Sequence, residues 1–387
     1  GILVNKGSLL ELWPSANMDQ NSKLNAISRL IILLTVVGFM FSKSMRIVVT
    51  GGMGFIGSHF VNFVKDQEPT VEVLVVDKLT YAADVNNLNC KVQFLQKDIC
   101  AVIPEDLGEY DYLINFAAES HVDNSIINGN PFVKTNIQGT FNLLEVARKN
   151  KNLKKFIQIS TDEVYGDMDD YTEYDAFGHP VMADKTFPLK ASSYYSATKA
   201  SADLLVEAAA RTYNLPYMIT RTCNNYGANQ HKEKFIPKLI ECIKKGIPVP
   251  LYGDGKNIRD WLFVDDHVDA LLAVIERGKV GRTYNIGGNS EKSNIDLVKQ
   301  ICHTLNLLRP KLDEDYADKI TFVSDRPGHD MRYAIDSSLI KKELAWTPKH
   351  NFDEGLKKTI LWYLDNEEWW RALLSKTQLN HRQGNLK

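Results

Sequence analysis

Three short stretches hold side chains whose types and spacing suit acid–base and redox chemistry. The first is Thr161-Asp162-Glu163, two adjacent acids after the apolar run Phe156-Ile157-Gln158-Ile159, which reads as a buried strand. The second is Tyr195 with Lys199, one helical turn apart and so on one face of their helix. The third is Gly51-Gly52-Met53-Gly54-Phe55-Ile56-Gly57, directly after the β-branched run Met45 to Thr50. An ammonium beside a phenol stabilises the phenolate and draws its pKa down from ~10, so Tyr195 can take a hydroxyl proton while the carbon loses hydride. Tyr194 is adjacent, but its spacing to Lys199 is wrong. A ketone formed in that way acidifies the neighbouring C–H. One carboxylate can then remove that proton while a neighbouring carboxylic acid protonates a departing hydroxyl. Two carboxyls crowded in a desolvated pocket tend to divide into one charged and one neutral group. Taken singly, each stretch has a plainer reading: solvent-exposed acids at a strand end, a chance Tyr/Lys spacing, a structural glycine turn.

The elements that must position these groups alternate between strand and helix. Behind the glycines, Ile56, Phe60, Phe63 and Val64 fall at helical spacing, so strand, glycine turn and helix follow one another. Such a turn brings backbone close to a pyrophosphate at a helix N-terminus. A second strand, 71–76, ends on Asp77, twenty residues past Gly57. An acid there accepts from adenosine ribose hydroxyls and repels a 2′-phosphate, which indicates NAD rather than NADP. Strands are expected over 92–96, leading to Asp98-Ile99 where an adenine edge can be read, and over 112–118, ending on the small Ala117-Ala118. Asn130-Pro131 should cap and open a helix to about Asn150, with an apolar stripe including Ile137, Phe141 and Leu144. After a polar loop over 167–190 come a helix over 195–213 and a strand over 217–221. Beyond Asn225 shorter mixed elements are expected: helices over 235–245, 266–277 and 295–305, and strands over 249–252, 259–264 and 284–286. This alternation predicts an α/β fold, a Rossmann-type doubly wound parallel sheet with a smaller mixed α/β substrate lobe.

Bulk properties narrow the partners. The chain has 387 residues, 44% hydrophobic and 24% charged, with a net charge of -2. That excludes a general attraction to nucleic acid or anionic membrane. Five scattered cysteines form neither a disulfide framework nor a set of metal ligands, which fits a cytoplasmic protein without a metal site. Residues 1–44 stand apart. Their apolar run Leu30–Phe41 is about a dozen residues, short of the ~20 that a spanning helix needs. A leader or extension ahead of a start at Met45 is expected, with a membrane anchor as the alternative.

With Phe116 to Asp123, Ser160 to Gly166, Tyr195 to Lys199, Asn224 to Gly227, Arg259 to Leu262, Tyr284 to Gly288 and Asp325 to Asp330, the chain resembles the NAD-dependent nucleotide-sugar 4,6-dehydratases of the extended short-chain dehydrogenase group. The likeness runs from Met45 to Trp370, and the triplet Thr161-Asp162-Glu163 separates it from epimerases and decarboxylases of the same superfamily. The resemblance implies that Tyr195 is the base for C4 oxidation, with Thr161 on the C4 oxygen. It gives Glu163 the C5 proton and makes Asp162 the acid for the C6 hydroxyl. It places NAD on Gly51, Gly54, Phe55, Ile56, Gly57, Asp77, Lys78, Thr80, Asp98, Ile99, Ala117, Ala118, Thr135, Tyr195, Lys199 and Asn225. It places the nucleotide sugar on Ser120, Thr161, Asn224, Lys234, Arg259, Asn294, Arg326 and His329. The expected substrate is dTDP-glucose; UDP-glucose or another nucleotide sugar is the alternative, and an epimerase or a non-catalytic NAD sensor follows behind. The resemblance also implies a homodimer through the 131–150 and 195–213 helices. Residues 45–225 are expected to hold the cofactor, with segments near 256–288 returning to them, and 226–387 mainly the nucleotide sugar. His121 is expected to order the loop near the site. Departures from the family pattern occur at Ala83-Asp84, Tyr194, Ala228 and Lys232.

Overall fold

The computed structural model of the chain describes residues 45–168, 182–310 and 315–369. The apolar run Leu30–Phe41, residues 169–181 of the expected surface loop and Trp370 lie outside the described residues. Twelve strands are described. They are β1 (Arg46–Thr50), β2 (Glu72–Asp77), β3 (Gln93–Gln96), β4 (Tyr112–Asn115), β5 (Lys155–Thr161) and β6 (Tyr217–Thr222), then β7 (Asn224–Tyr226), β8 (Val249–Tyr252), β9 (Ile258–Phe263), β10 (Arg282–Ile286), β11 (Glu291–Ser293) and β12 (Ile320–Val323).

Seven of them form one sheet in the order β10-β6-β5-β4-β1-β2-β3, every neighbouring pair parallel. The order reverses between β1 and β4, and a crevice opens beyond the strand ends at such a switch point. Near-continuous aliphatic runs are what a parallel sheet covered on both faces requires. Val49, Val75 and Ile157 face one layer, packing with Phe60 and Val64 of the Phe55–Gln67 helix and Leu271 of the Val264–Arg277 helix. Val48, Leu74 and Phe156, the alternate residues, face the other layer with Leu143, Leu144 and Val206. The lobe is built on β11-β9-β7 and β12-β8, around a core that includes Tyr226, Leu239, Trp261 and Ile301.

The helix after β4 departs from expectation. It opens at Asn130–Phe132, runs as a π-helix over Val133–Gly139 and resumes as an α-helix over Thr140–Ala147. Asn130 does not cap it from outside; Asn128 Oδ1 takes the Asn130 N–H at 3.1 Å instead. The wider π turns rotate the downstream face. Leu143 and Leu144 are buried, while Phe141 of the expected apolar stripe is 52% exposed. The strand expected over 112–118 stops at Asn115, and Phe116 to Ala118 leave the ladder to line the crevice.

Polar side chains of β1, β4 and β5 satisfy one another at the centre of the sheet. Thr50 Oγ1 donates to Asn115 Oδ1 at 2.7 Å, and Asn115 Nδ2 donates to Gln158 Oε1 at 2.9 Å and to Thr140 Oγ1 at 3.3 Å. One amide thus joins β1, β4, β5 and the helix above them. Asn115→Leu leaves the Thr50 and Gln158 groups buried without that partner, at a cost of about 2–4 kcal/mol. Urea unfolding should show a lower midpoint with an unchanged slope.

Candidate active site

The crevice at the switch point is a cavity of ≈ 310 Å³. All the residues expected to hold the cofactor line it: Gly51, Gly54, Phe55, Ile56, Gly57, Asp77, Lys78, Thr80, Asp98, Ile99, Ala117, Ala118, Thr135, Tyr195, Lys199 and Asn225. Gly51 has φ +69°, and a Cβ there would lie 2.7 Å from the Ala117 nitrogen. A Cβ on Gly57 would lie 2.3 Å from the Gly51 oxygen. Only glycine lets this turn close, and the Phe55–Gln67 helix begins from it with no side-chain cap, so its first N–H groups face the crevice. Asp77 holds the turn from below: its carboxylate accepts from the Met53 N–H at 3.0 Å and the Leu79 N–H at 2.8 Å. Asn225 donates to Thr222 and Cys223, while its buried Oδ1 has no hydrogen-bond partner among the described residues. An uncapped glycine turn, a buried acid one strand over and an orphaned amide oxygen fit a dinucleotide.

At the C-terminal end of β5 the chain turns into a single 3₁₀ turn, Asp162–Tyr165. Thr161 caps it, accepting from the Glu163 N–H at 3.3 Å and donating to Asp162 Oδ1 at 3.2 Å. The turn sends the two acids different ways. Glu163 lines the cavity with Thr161, whereas Asp162 is 2% exposed, outside the cavity lining, its Oδ2 without a partner among the described residues. Burial, and then the neighbouring Glu163, push the Asp162 carboxyl well above the ordinary range. Burial also raises Glu163, but Arg326, Arg259 and Lys234 pull against it. Burial opposes the charge of both carboxyls, and three cations counter it at Glu163.

Tyr195 and Lys199 come from the Tyr194–Tyr213 helix, whose entrance is set by Ser193, which accepts from the Ser196 N–H at 3.1 Å. Tyr195 lines the cavity, its ring edge-on to Phe132, while Tyr194 is 63% exposed. Lys199 donates to the Ile159 carbonyl at 2.6 Å, and burial lowers its pKa to about 8. The Tyr195 phenol does not show the expected fall. Burial and Glu163 push it up, against a hydrogen bond from Thr161. Lys199 by itself would lower the phenol, whereas Glu163 and Asp162 near it act in the other direction.

Of the expected substrate residues, Ser120, Thr161, Asn224 and Lys234 line the cavity, and Lys234 donates to the Ser120 carbonyl at 2.7 Å. Arg259, Asn294, Arg326 and His329 do not line it. Arg326 pairs with Asp123 at 3.3 Å, and His329 with Asp325 at 2.7 Å. Arg259 donates to the carbonyls of Ile258, Asp330 and Met331 and lies over the Tyr333 ring. Asn294 opens the Asn294–Leu308 helix, its N–H donated to Asn257. His121 accepts from the Asn124 N–H at 3.4 Å and reaches the Glu233 carbonyl, so it ties one loop to another. Glu119, Cys223, His231 and Glu233 also line the cavity and were not picked out as site residues. Each lies within, beside or close after a quoted motif, and polarity inside those motifs was the available signal.

A family model described as GDP-mannose 4,6 dehydratase matches residues 48–359. A second, described as Minor capsid protein P9 transmembrane helices, matches 1–62; the part of that match over 46–62 folds here as β1 and the start of the Phe55–Gln67 helix. The chain is 46% identical over 363 residues to a dTDP-glucose 4,6-dehydratase of Neisseria meningitidis serogroup B, covering 88% of this chain and 99% of that one. It is 46% identical to one of Haemophilus influenzae, covering 83% and 98%. The crystal structure of DesIV, a dTDP-glucose 4,6-dehydratase from Streptomyces venezuelae with NAD bound, aligns with a TM-score of 0.77 at 39% identity, over 85% of this chain and 100% of that one. A UDP-glucose 4-epimerase of Thermotoga maritima aligns with a TM-score of 0.73 at 30% identity, over 84% and 100%.

The glycine turn supplies a direct check on the cofactor cradle. Gly57→Ala forces the turn open, because its Cβ falls 2.3 Å from the Gly51 oxygen. NAD affinity measured by calorimetry should fall by at least about tenfold, a loss of ~1.4 kcal/mol.

Proposed function

The chain belongs to the nucleotide-sugar 4,6-dehydratase family, with dTDP-glucose 4,6-dehydratases among its relatives, and from that premise we propose how its own residues divide the work. It is an NAD-dependent hydro-lyase that converts dTDP-glucose to dTDP-4-keto-6-deoxyglucose and water. NAD, when bound, supplies a hydride acceptor for C4 and a hydride donor for C6, so it is regenerated in each turnover. Tyr195 takes the C4 hydroxyl proton, and Thr161 donates to the C4 oxygen. Lys199 places its positive charge beside the phenol. Glu163 removes the C5 proton acidified by the C4 ketone, and Asp162 protonates the C6 hydroxyl as it leaves. The observation that carries this division is the contrast between the two acids. Asp162 is buried with an unpartnered oxygen, while Glu163 faces the cavity among Arg326, Arg259 and Lys234. An epimerase needs no such pair.

In this reading residues 45–225, with β10, hold NAD. Ser120, Asn224, Lys234, Arg259, Asn294, Arg326 and His329 hold the nucleotide sugar, the guanidinium forks facing its diphosphate. The arginines stand against Asp123 and backbone carbonyls in the described state, so substrate exchanges those partners for phosphate oxygens. A homodimer forms through the 131–150 and 195–213 helices. Val133, Phe141, Leu204 and Tyr213 support it: each is more than two-fifths exposed on those two helices. Residence in the cytoplasm is supported by the five free cysteines, and no helix among the described residues is long and apolar enough to cross a membrane.

Purified protein given dTDP-glucose and UDP-glucose in parallel, without reductant, should remove one water from the dTDP sugar with no net NADH, as read by mass spectrometry and absorbance. Unchanged dTDP sugar would sink the reading. Asp162→Asn and Glu163→Gln should each slow water loss by about 10²–10⁴-fold while NAD stays bound, the range expected when one acid–base group is removed.

A further inference from the structure

Beneath the cavity lies a set of buried charges that the reaction above does not use. Asp203 is one helical turn past Lys199 on the same helix, and its side chain is 0% exposed. The two side chains reach consecutive residues of β5. Lys199 donates to the Ile159 carbonyl at 2.6 Å, and Asp203 accepts from Ser160 Oγ at 3.1 Å. Arg221 of β6 donates its Nε to the same Asp203 oxygen at 2.9 Å and its Nη1 to Tyr165 at 3.0 Å. Tyr165 donates its O–H to Asn285 Oδ1 at 2.9 Å. The other Asp203 oxygen, Oδ1, is buried with no hydrogen-bond partner among the described residues.

A buried ammonium is costly unless a counter-charge stands near, and the same holds for a buried carboxylate. Arg221 pairs directly with Asp203, and Lys199 also favours its charge. The spare positive charge in the trio is Lys199, which also lines the cavity. We propose that Asp203 is a positioning residue for the Tyr195/Lys199 pair: clamped by Arg221 and Ser160, its carboxylate keeps the Lys199 ammonium charged and held against the end of β5. The inference rests on the reading of Tyr195 and Lys199 as the redox pair.

The charged groups around Lys199 agree with this. Burial disfavours its ammonium, and Asp203 is the group that opposes burial. Arg221 from β6 and Tyr165 from the turn after β5 face Asp203, not Lys199. Asp162 and Glu163 act on the far side, on Tyr195. Asp203 also disfavours the Tyr195 phenolate, but it is last among the influences on that phenol, after burial, Glu163, Thr161 and Asp162.

The sign follows directly. Lys199 is useful while charged, so its contribution is present at pH below its pKa of about 8 and lost above it. Removing the anion moves that loss to lower pH. The test is competitive labelling of the full chain, freed of nucleotide, with a small acylating reagent across pH, with the Lys199 peptide read by mass spectrometry. Asp203→Asn should lower the Lys199 midpoint by about one pH unit or more, the scale of one charge at short range. The alkaline limb of dTDP-glucose turnover should move with it, and Asp203→Glu should restore both. An unchanged midpoint in folded Asp203→Asn overturns the proposal. Should the unpaired Arg221 prevent folding, Asp203→Asn with Arg221→Gln removes both charges and should show the same displacement; an unmoved midpoint there overturns it equally. Wild-type protein that leaves the sugar unchanged refutes the proposed reaction, while the labelling midpoints still decide the role of Asp203.

Discussion

Two carboxyl groups on adjacent residues cannot both be ionised in a site from which water is excluded. The rest of the architecture follows from where each is put. The 3₁₀ turn after β5 drives Asp162 inward, where burial opposes its charge, and leaves Glu163 on the cavity wall. Three cations oppose burial at Glu163, Lys234 from the start of the Phe235–Lys245 helix, Arg259 from β9 and Arg326 from the loop after β12, whereas at Asp162 only Arg259 does. A site that must give one proton and take another needs this asymmetry before substrate arrives. It is made by backbone geometry at a strand end and by charges brought from far along the chain.

The sheet beneath is rigid for the same reason. At its centre Asn115 spans to Thr50, Gln158 and Thr140, so β1, β4 and β5 cannot slide without leaving buried groups unpaired. β1 carries the glycine turn and β5 carries the acids. The distance from cofactor to carboxyl is therefore a property of the strand register, in which Ile47 pairs with Tyr112 and Tyr112 with Lys155. The Tyr194–Tyr213 helix is pinned to this frame at its functional end. Lys199 and Asp203 reach β5, and Thr198 takes a hydrogen bond from Asn136 of the π segment at 3.0 Å. Within the π segment Thr135 lines the cavity and Asn136 reaches the Tyr194–Tyr213 helix.

What was legible in the sequence was local. The glycine turn, Asp77 and the Tyr195/Lys199 spacing each depend on residues close in the chain or on one strand length, and the parallel sheet follows from the alternation of runs. The π segment was not legible, because Val133 to Gly139 shows ordinary helical spacing until an extra residue per turn carries Phe141 out to solvent. Nor was the pairing of Arg326 with Asp123, two residues 203 apart in sequence. The direction of the Tyr195 shift was misjudged for a related reason. A lysine one turn away is visible in sequence, whereas the enclosure of the phenol by Glu163 and Asp162 is a property of packing.

The departures from the family pattern show how far this frame tolerates change. Asp84 caps a 3₁₀ turn, accepting from the Asn86 N–H at 2.9 Å, and its own N–H goes to the Met53 carbonyl behind the glycine turn. Ala228 offers its carbonyl to His59 at 3.0 Å, a contact made by backbone and so indifferent to the missing proline. Tyr194 turns its ring to solvent over Gly129. Asp84 is thus held by its side chain and its own N–H, Ala228 meets His59 through a main-chain carbonyl, and Tyr194 points outward. None of these contacts involves Asp162, Glu163, Tyr195 or Lys199.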